Sequence, residues 1–168
     1  AVHRRHDRTI SAETSTASET IQLPAGAGMV SVNLATTATS DGSFHWRFDC
    51  DGRLDPDWTL TGAALVWRFP REAWGLVLPT GWGRRLDAIP ADLDFTGNYP
   101  GWSALAQLVI LAGHAGGIGF EAVDPNLETK LITVRAVDLN NTATVEIAFT
   151  RTPEFENGHW RLDRPCEF

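Results

Sequence analysis

From residue 28 onward, apolar and polar positions alternate along much of the chain with the period of two that marks β-strands. Met29-Val30-Ser31-Val32-Asn33-Leu34 opens the pattern. Ser43–Asp49 repeats it, with Phe44, Trp46 and Phe48 on one face and His45 on the other. Asp51-Gly52 predicts a turn after this strand. The segment 58–69 is rich in Trp, Thr, Leu and Val and stops at Pro70. Later, Lys130–Asp138 sets Leu131, Thr133, Arg135 and Val137 on one side and Ile132, Val134 and Ala136 on the other. Asn140-Asn141 predicts a turn into Ala143–Phe149, where Ala143, Val145, Ile147 and Phe149 share a face.

Two stretches depart from simple alternation. Residues 70–103 hold Pro70, Pro79, Pro90 and Pro100 with Gly75, Gly81, Gly83, Gly97 and Gly101 among them, and the aromatics Trp74, Trp82, Tyr99 and Trp102. This composition predicts a long irregular excursion with short strands, the kind of segment on which binding surfaces sit. Ala104–Leu111 is rich in helix formers. The glycine-rich turn His114–Gly117 and the following Ile118–Val123 nevertheless predict a hairpin there. Many short strands without a long helical period predict an all-β, antiparallel sandwich over residues 21–168. Residues 1–20 are polar and read as a loose terminus ending in an edge strand.

Composition narrows the chemistry. At 168 residues and 43% apolar, the chain suits one domain with a real core. A net charge of −7 argues against nucleic acid, which requires a basic face. The longest apolar run, Ala104–Ala112, is too short to cross a bilayer, so no membrane partner is expected. Ala1–His6 lacks the apolar stretch of a signal peptide and begins without methionine. Cys50 and Cys166 match no metal spacing and leave a disulfide, the redox compartment and hence the localisation open. His3 and His6 are three apart but lie in the polar terminus, and no cofactor or metal motif is present.

The order of motifs Phe69-Pro70, Leu78–Arg84, Tyr99-Pro100-Gly101, Gln107, Gly116–Phe120, Asp124-Pro125 and Lys130 resembles the galactose-mutarotase-like β-sandwich. That domain precedes the (β/α)-barrel in large bacterial glycoside hydrolases of the α-galactosidase and endo-α-N-acetylgalactosaminidase type. Val123 stands where such domains often carry a histidine. The resemblance implies a large sandwich whose catalytic carboxylates reside on a barrel C-terminal to it. It also implies a chain cut before a last strand, which would leave a sheet edge open.

The expected partners are therefore carbohydrate and a catalytic barrel domain. The candidate sugar-contacting residues are Trp82, Arg84, Tyr99, Trp102 and Asp124. Three other readings are a free-standing carbohydrate-binding module using Trp82, Tyr99 and Trp102, a small sugar epimerase using His114 and Glu121, and a ligand-free interaction sandwich. Paired carboxylates such as Asp49 with Asp51, or Asp92 with Asp94, sit in turn-like sequence, where aspartate caps its own backbone.

Overall fold

The structure is a computed structural model. It describes residues 15–22 (as backbone), 28–39, 42–55, 57, 61–81, 83–124, 126–140, 142–152, 154–156, 159–162 and 166–168. His3, His6, Trp58 and Asn141 lie outside the described residues.

The alternating stretches form strands β1 (Ser15–Gln22), β2 (Gly28–Ala38), β3 (Phe44–Leu54) and β4 (Ala63–Pro70). A single 3₁₀ turn, Arg71–Ala73, leads into the excursion, which is built of β5 (Gly75–Leu78), β6 (Arg84–Leu86) and β7 (Asp94–Tyr99). Then follow β8 (Leu108–Gly113), β9 (Gly116–Glu121), β10 (Lys130–Leu139) and β11 (Thr142–Arg151). The last strands are β12 (Glu154–Glu156), β13 (His159–Arg161) and β14 (Cys166–Glu167). Among the described residues there is no α-helix. The helix-forming residues of Ala104–Leu111 yield to the β8–β9 hairpin, where pairing runs from Leu108↔Glu121 to Gly113↔Gly116.

The strands form three antiparallel sheets. The first has the order β1-β2-β3-β13-β12, with β14 also on β3. The second is β4-β11-β10-β7, and the third is β6-β5-β8-β9. β1 is thus the edge strand expected at the end of the polar terminus. Asp51-Gly52 is not a turn. It lies inside β3, with Gly52 opposite Val30 of β2 and Trp160 of β13. A Cβ on Gly52 would stand 2.9 Å from both the Met29 carbonyl oxygen and Val30 Cγ2. Glycine is there for close strand approach, not for bending.

The register of the second sheet assigns its inner face. Leu65, Trp67 and Phe69 face Phe149, Ile147 and Val145 across the strands. These meet Ile132, Val134 and Ala136, and then Gly97 and Phe95. Ile132, Val134, Val145 and Ile147 are completely buried. Against this face pack the other two sheets. Trp67 meets Trp46 at 5.6 Å and Phe168 at 5.4 Å from the first, and Phe120 at 5.3 Å from the third. The Val123 amide donates to the Glu167 carbonyl at 2.8 Å, which links the segment after β9 to β14. The third and first sheets therefore lie side by side as one layer over the second, and the molecule is an all-β sandwich.

The outer face of the second sheet is polar and ordered by charge. Arg68, Glu146, Arg135 and Asp94 are direct cross-strand neighbours on β4, β11, β10 and β7. They make a row of alternating sign, with Arg68 Nε 2.5 Å from Glu146 and Arg135 Nε 2.8 Å from Asp94. Because the row is solvated, each pair is worth little. Glu146→Gln is expected to cost less than about 1 kcal/mol in urea unfolding, and less still in high salt, where the row is screened.

Candidate functional site

Lys130 is the first residue of β10 and falls in phase with Ile132 and Val134, so the strand turns it inward. It is 5% exposed, a rare state for an ammonium group without partners. Its partners come from two connections at one end of the sandwich, β7 to β8 and β9 to β10. Nζ donates to Gln107 Oε1 at 2.6 Å, to Asp124 Oδ2 at 2.5 Å and to the Glu128 carbonyl at 2.9 Å. Tyr99 pairs with Lys130 across β7 and β10, and the ammonium sits 5.2 Å from its ring centroid.

The anionic side of the cluster is equally engaged. Asp124 Oδ1 accepts the Asn126 amide at 3.0 Å, and Oδ2 accepts the Glu128 amide at 2.9 Å. Gln107 Nε2 donates to the Asp124 carbonyl at 3.2 Å. Arg151, the last residue of β11, forms an ion pair with the Glu128 carboxylate. Two cations thus face two anions. Burial raises the pKa of Asp124. The hydrogen bond and charge of Lys130, with the amides of Asn126 and Glu128, outweigh that effect and hold its carboxyl below the ordinary value of 3.8.

An ammonium has three N–H donors, and all three of Lys130 are spent inside the cluster. Neither Lys130 nor Asp124 is placed to exchange a proton with a ligand. What the cluster does is fasten the 122–130 connection to the start of β8 and the end of β7.

The connection from β7 to β8 begins at this lock. The Tyr99–Pro100 peptide bond is cis. Gly101 and Ala104 exchange backbone hydrogen bonds at 3.2 and 3.1 Å, and Ser103 Oγ accepts the Asn98 amide at 3.0 Å. Ala104 is fully buried. The Leu105 amide donates to the Pro79 carbonyl at 2.8 Å, which ties this loop to the β5–β6 hairpin. Between these anchors Trp102 is 94% exposed.

The sequence-predicted residues divide accordingly. Tyr99 and Asp124 meet at Lys130, and both are occupied with internal contacts. Trp102 stands on the adjoining loop. Arg84 is exposed and opposite Leu78 on the hairpin that Pro79 ties to that loop. Trp82 lies outside the described residues. His114 and Glu121 are not brought together: His114 lies in the β8–β9 turn and Glu121 at the far end of β9, a strand roughly 17 Å long at ~3.4 Å per residue. Among the described residues, neither His114 nor His45 forms an ion pair with a carboxylate. Cys50 is buried on β3, and β14 sets the Cys166 backbone opposite Phe48, two residues away.

Lys130 and Gln107 belong to the motif order described above, but their residue types alone assign neither a role. The available signal was the phase of Lys130 with Ile132, Val134 and Ala136, which marks it as inward. Among the described residues, no group of three or more His, Cys, Asp or Glu side chains could hold a metal ion, and no helix is long and apolar enough to cross a membrane. Comparison with protein-family models, curated proteins and solved structures finds no match.

Proposed function

We propose that this chain is a non-catalytic β-sandwich domain of a carbohydrate-active enzyme, supporting a catalytic barrel and lending the Tyr99–Trp102 loop to sugar recognition. One observation carries the reading. Tyr99, Gln107, Asp124 and Lys130, which are spread over the motifs of the resemblance, converge on a single buried cluster. A motif in which the Lys130, Gln107 and Asp124 side chains are bound to one another and to nearby backbone serves positioning rather than proton transfer. The thing it positions is a loop with a fully presented indole.

Sugar rings have apolar C–H faces, and an exposed tryptophan on a braced loop offers a flat partner that needs little ordering on binding. The test is a glycan screen on the whole chain, followed by tryptophan fluorescence. Saturable binding to one class of sugar is expected. Trp102→Ala should weaken it by about 30-fold, as loss of about 2 kcal/mol at an aromatic anchor implies. Binding that ignores Trp102→Ala would remove the loop from sugar recognition. Turnover of aryl glycosides by the chain alone would overturn the non-catalytic reading.

A further inference from the structure

At the end of the third sheet opposite to the Lys130 cluster lies an open cleft of about 840 Å³. The distance along β8 from Leu108 to Gly113 separates the two, roughly 17 Å at ~3.4 Å per residue. The cleft is formed by the 3₁₀ turn before β5, the segment after β6 and the β8–β9 turn. Its volume falls within the range of about 300–1,000 Å³ typical of small-molecule sites.

Trp74 is the aromatic wall. Its ring packs edge-on against Phe69, with centroids 6.5 Å apart and planes at 80°. On its other flank is Gly113, where a Cβ would stand 3.0 Å from Cζ3 and 3.2 Å from Cε3. A side chain at 113 would push the ring away, so this glycine lets the indole lie against the β8 backbone. Gly75 has a similar role: its Cβ would meet the Leu86 carbonyl oxygen at 2.8 Å, and its absence lets β5 and β6 close beneath the cleft. Buried Ile89 and half-buried Leu86 supply the apolar lining.

The rim is polar: Arg71, Glu72, Arg85, Asp87 and His114. Arg85 Nε donates to Asp87 Oδ1 at 2.9 Å, which orients both groups while leaving the terminal guanidinium nitrogens available. Two guanidiniums face two carboxylates, so the arginine and carboxylate charges cancel. An anion site would need a surplus of cations. A cleft that joins an aromatic wall to a charge-balanced ring of planar donors and acceptors suits an uncharged ligand rich in vicinal hydroxyls.

The geometry points to this cleft as a binding site for neutral saccharides, separate from the Trp102 loop. The ligand class rests on the carbohydrate reading above; the location does not. The cleft is tested in the full chain carrying Trp102→Ala, which removes the exposed loop indole. Neutral oligosaccharides and uronic-acid oligosaccharides are titrated into it by calorimetry. Saturable binding of a neutral oligosaccharide is expected, weakened at least ten-fold by adding Trp74→Ala. Because Trp74 is half-buried, Arg85→Ala, at an exposed residue, is measured as well. It should weaken binding at least five-fold with an unchanged thermal midpoint.

Neutral-sugar binding unaffected by both cleft substitutions would overturn the proposal. So would binding of uronic-acid oligosaccharides alone. If Trp102→Ala by itself abolishes all sugar binding, the cleft proposal fails and the Trp102 reading survives. If the unsubstituted chain binds no sugar, both fail.

Discussion

Lys130→Met is expected to lower the stability of the chain by about 3–5 kcal/mol, the usual cost of removing one partner of a buried ion pair. Methionine matches the apolar stem of lysine out to Cε, so the loss isolates the ammonium. Without it, Asp124 keeps two backbone amides but loses its closest counter-charge, and Gln107 Oε1 and the Glu128 carbonyl lose a donor. The measurement is the urea midpoint at constant slope. Adding Asp124→Leu should recover part of the deficit, because a largely covered carboxylate no longer sits without its counter-charge. A Lys130→Met chain as stable as the original would show that the cluster is not a lock.

The same cluster sets the acid limb of stability. The Asp124 carboxyl titrates below its ordinary value of 3.8 in the folded chain. Its contribution is therefore complete above pH 3.8 and is lost as pH falls through the depressed folded value. Asp124→Asn should be less stable than the original at neutral pH, and the gap should narrow below pH 3.8.

Much of the architecture could be read from alternation. β2 and β10 follow their period-two faces, and the hairpin at β8–β9 follows its glycine-rich turn despite a helix-forming composition. Reading failed where a residue acts through tertiary contact. Asp51-Gly52 has turn chemistry, yet Gly52 is needed in mid-strand because Met29 and Val30 leave no room for a side chain. In β11, Thr144 and Ala148 are buried along with Val145, Ile147 and Phe149, and no alternation survives in its burial. The candidate site was legible in part. Tyr99, Trp102 and Asp124 stood out by type and context, but which of them face solvent depends on Lys130. A lysine is an improbable choice for the interior until its strand phase is taken seriously.

Trp67 is expected to be the costliest single aromatic to remove. Trp67→Ala should lose about 3–5 kcal/mol, because the ring is shared by all three sheets. It contacts Trp46 and Phe168 from the first, Phe149 at 6.0 Å within its own, and Phe120 from the third. By contrast, Phe155 is 59% exposed and meets Trp160 with tilted rings 4.8 Å apart on the β12–β13 hairpin. Phe155→Ala should cost less than about 1 kcal/mol. The two differ in connectivity as well as burial. If Trp67 joins the layers, its removal should raise amide exchange in β3, β9 and β11 together, since each supplies a ring to it or flanks one that does. Faster exchange confined to β4 would mean that the sheets hold together without Trp67, through the backbone link between Val123 and Glu167 and the aliphatic core around Ile132 and Ile147.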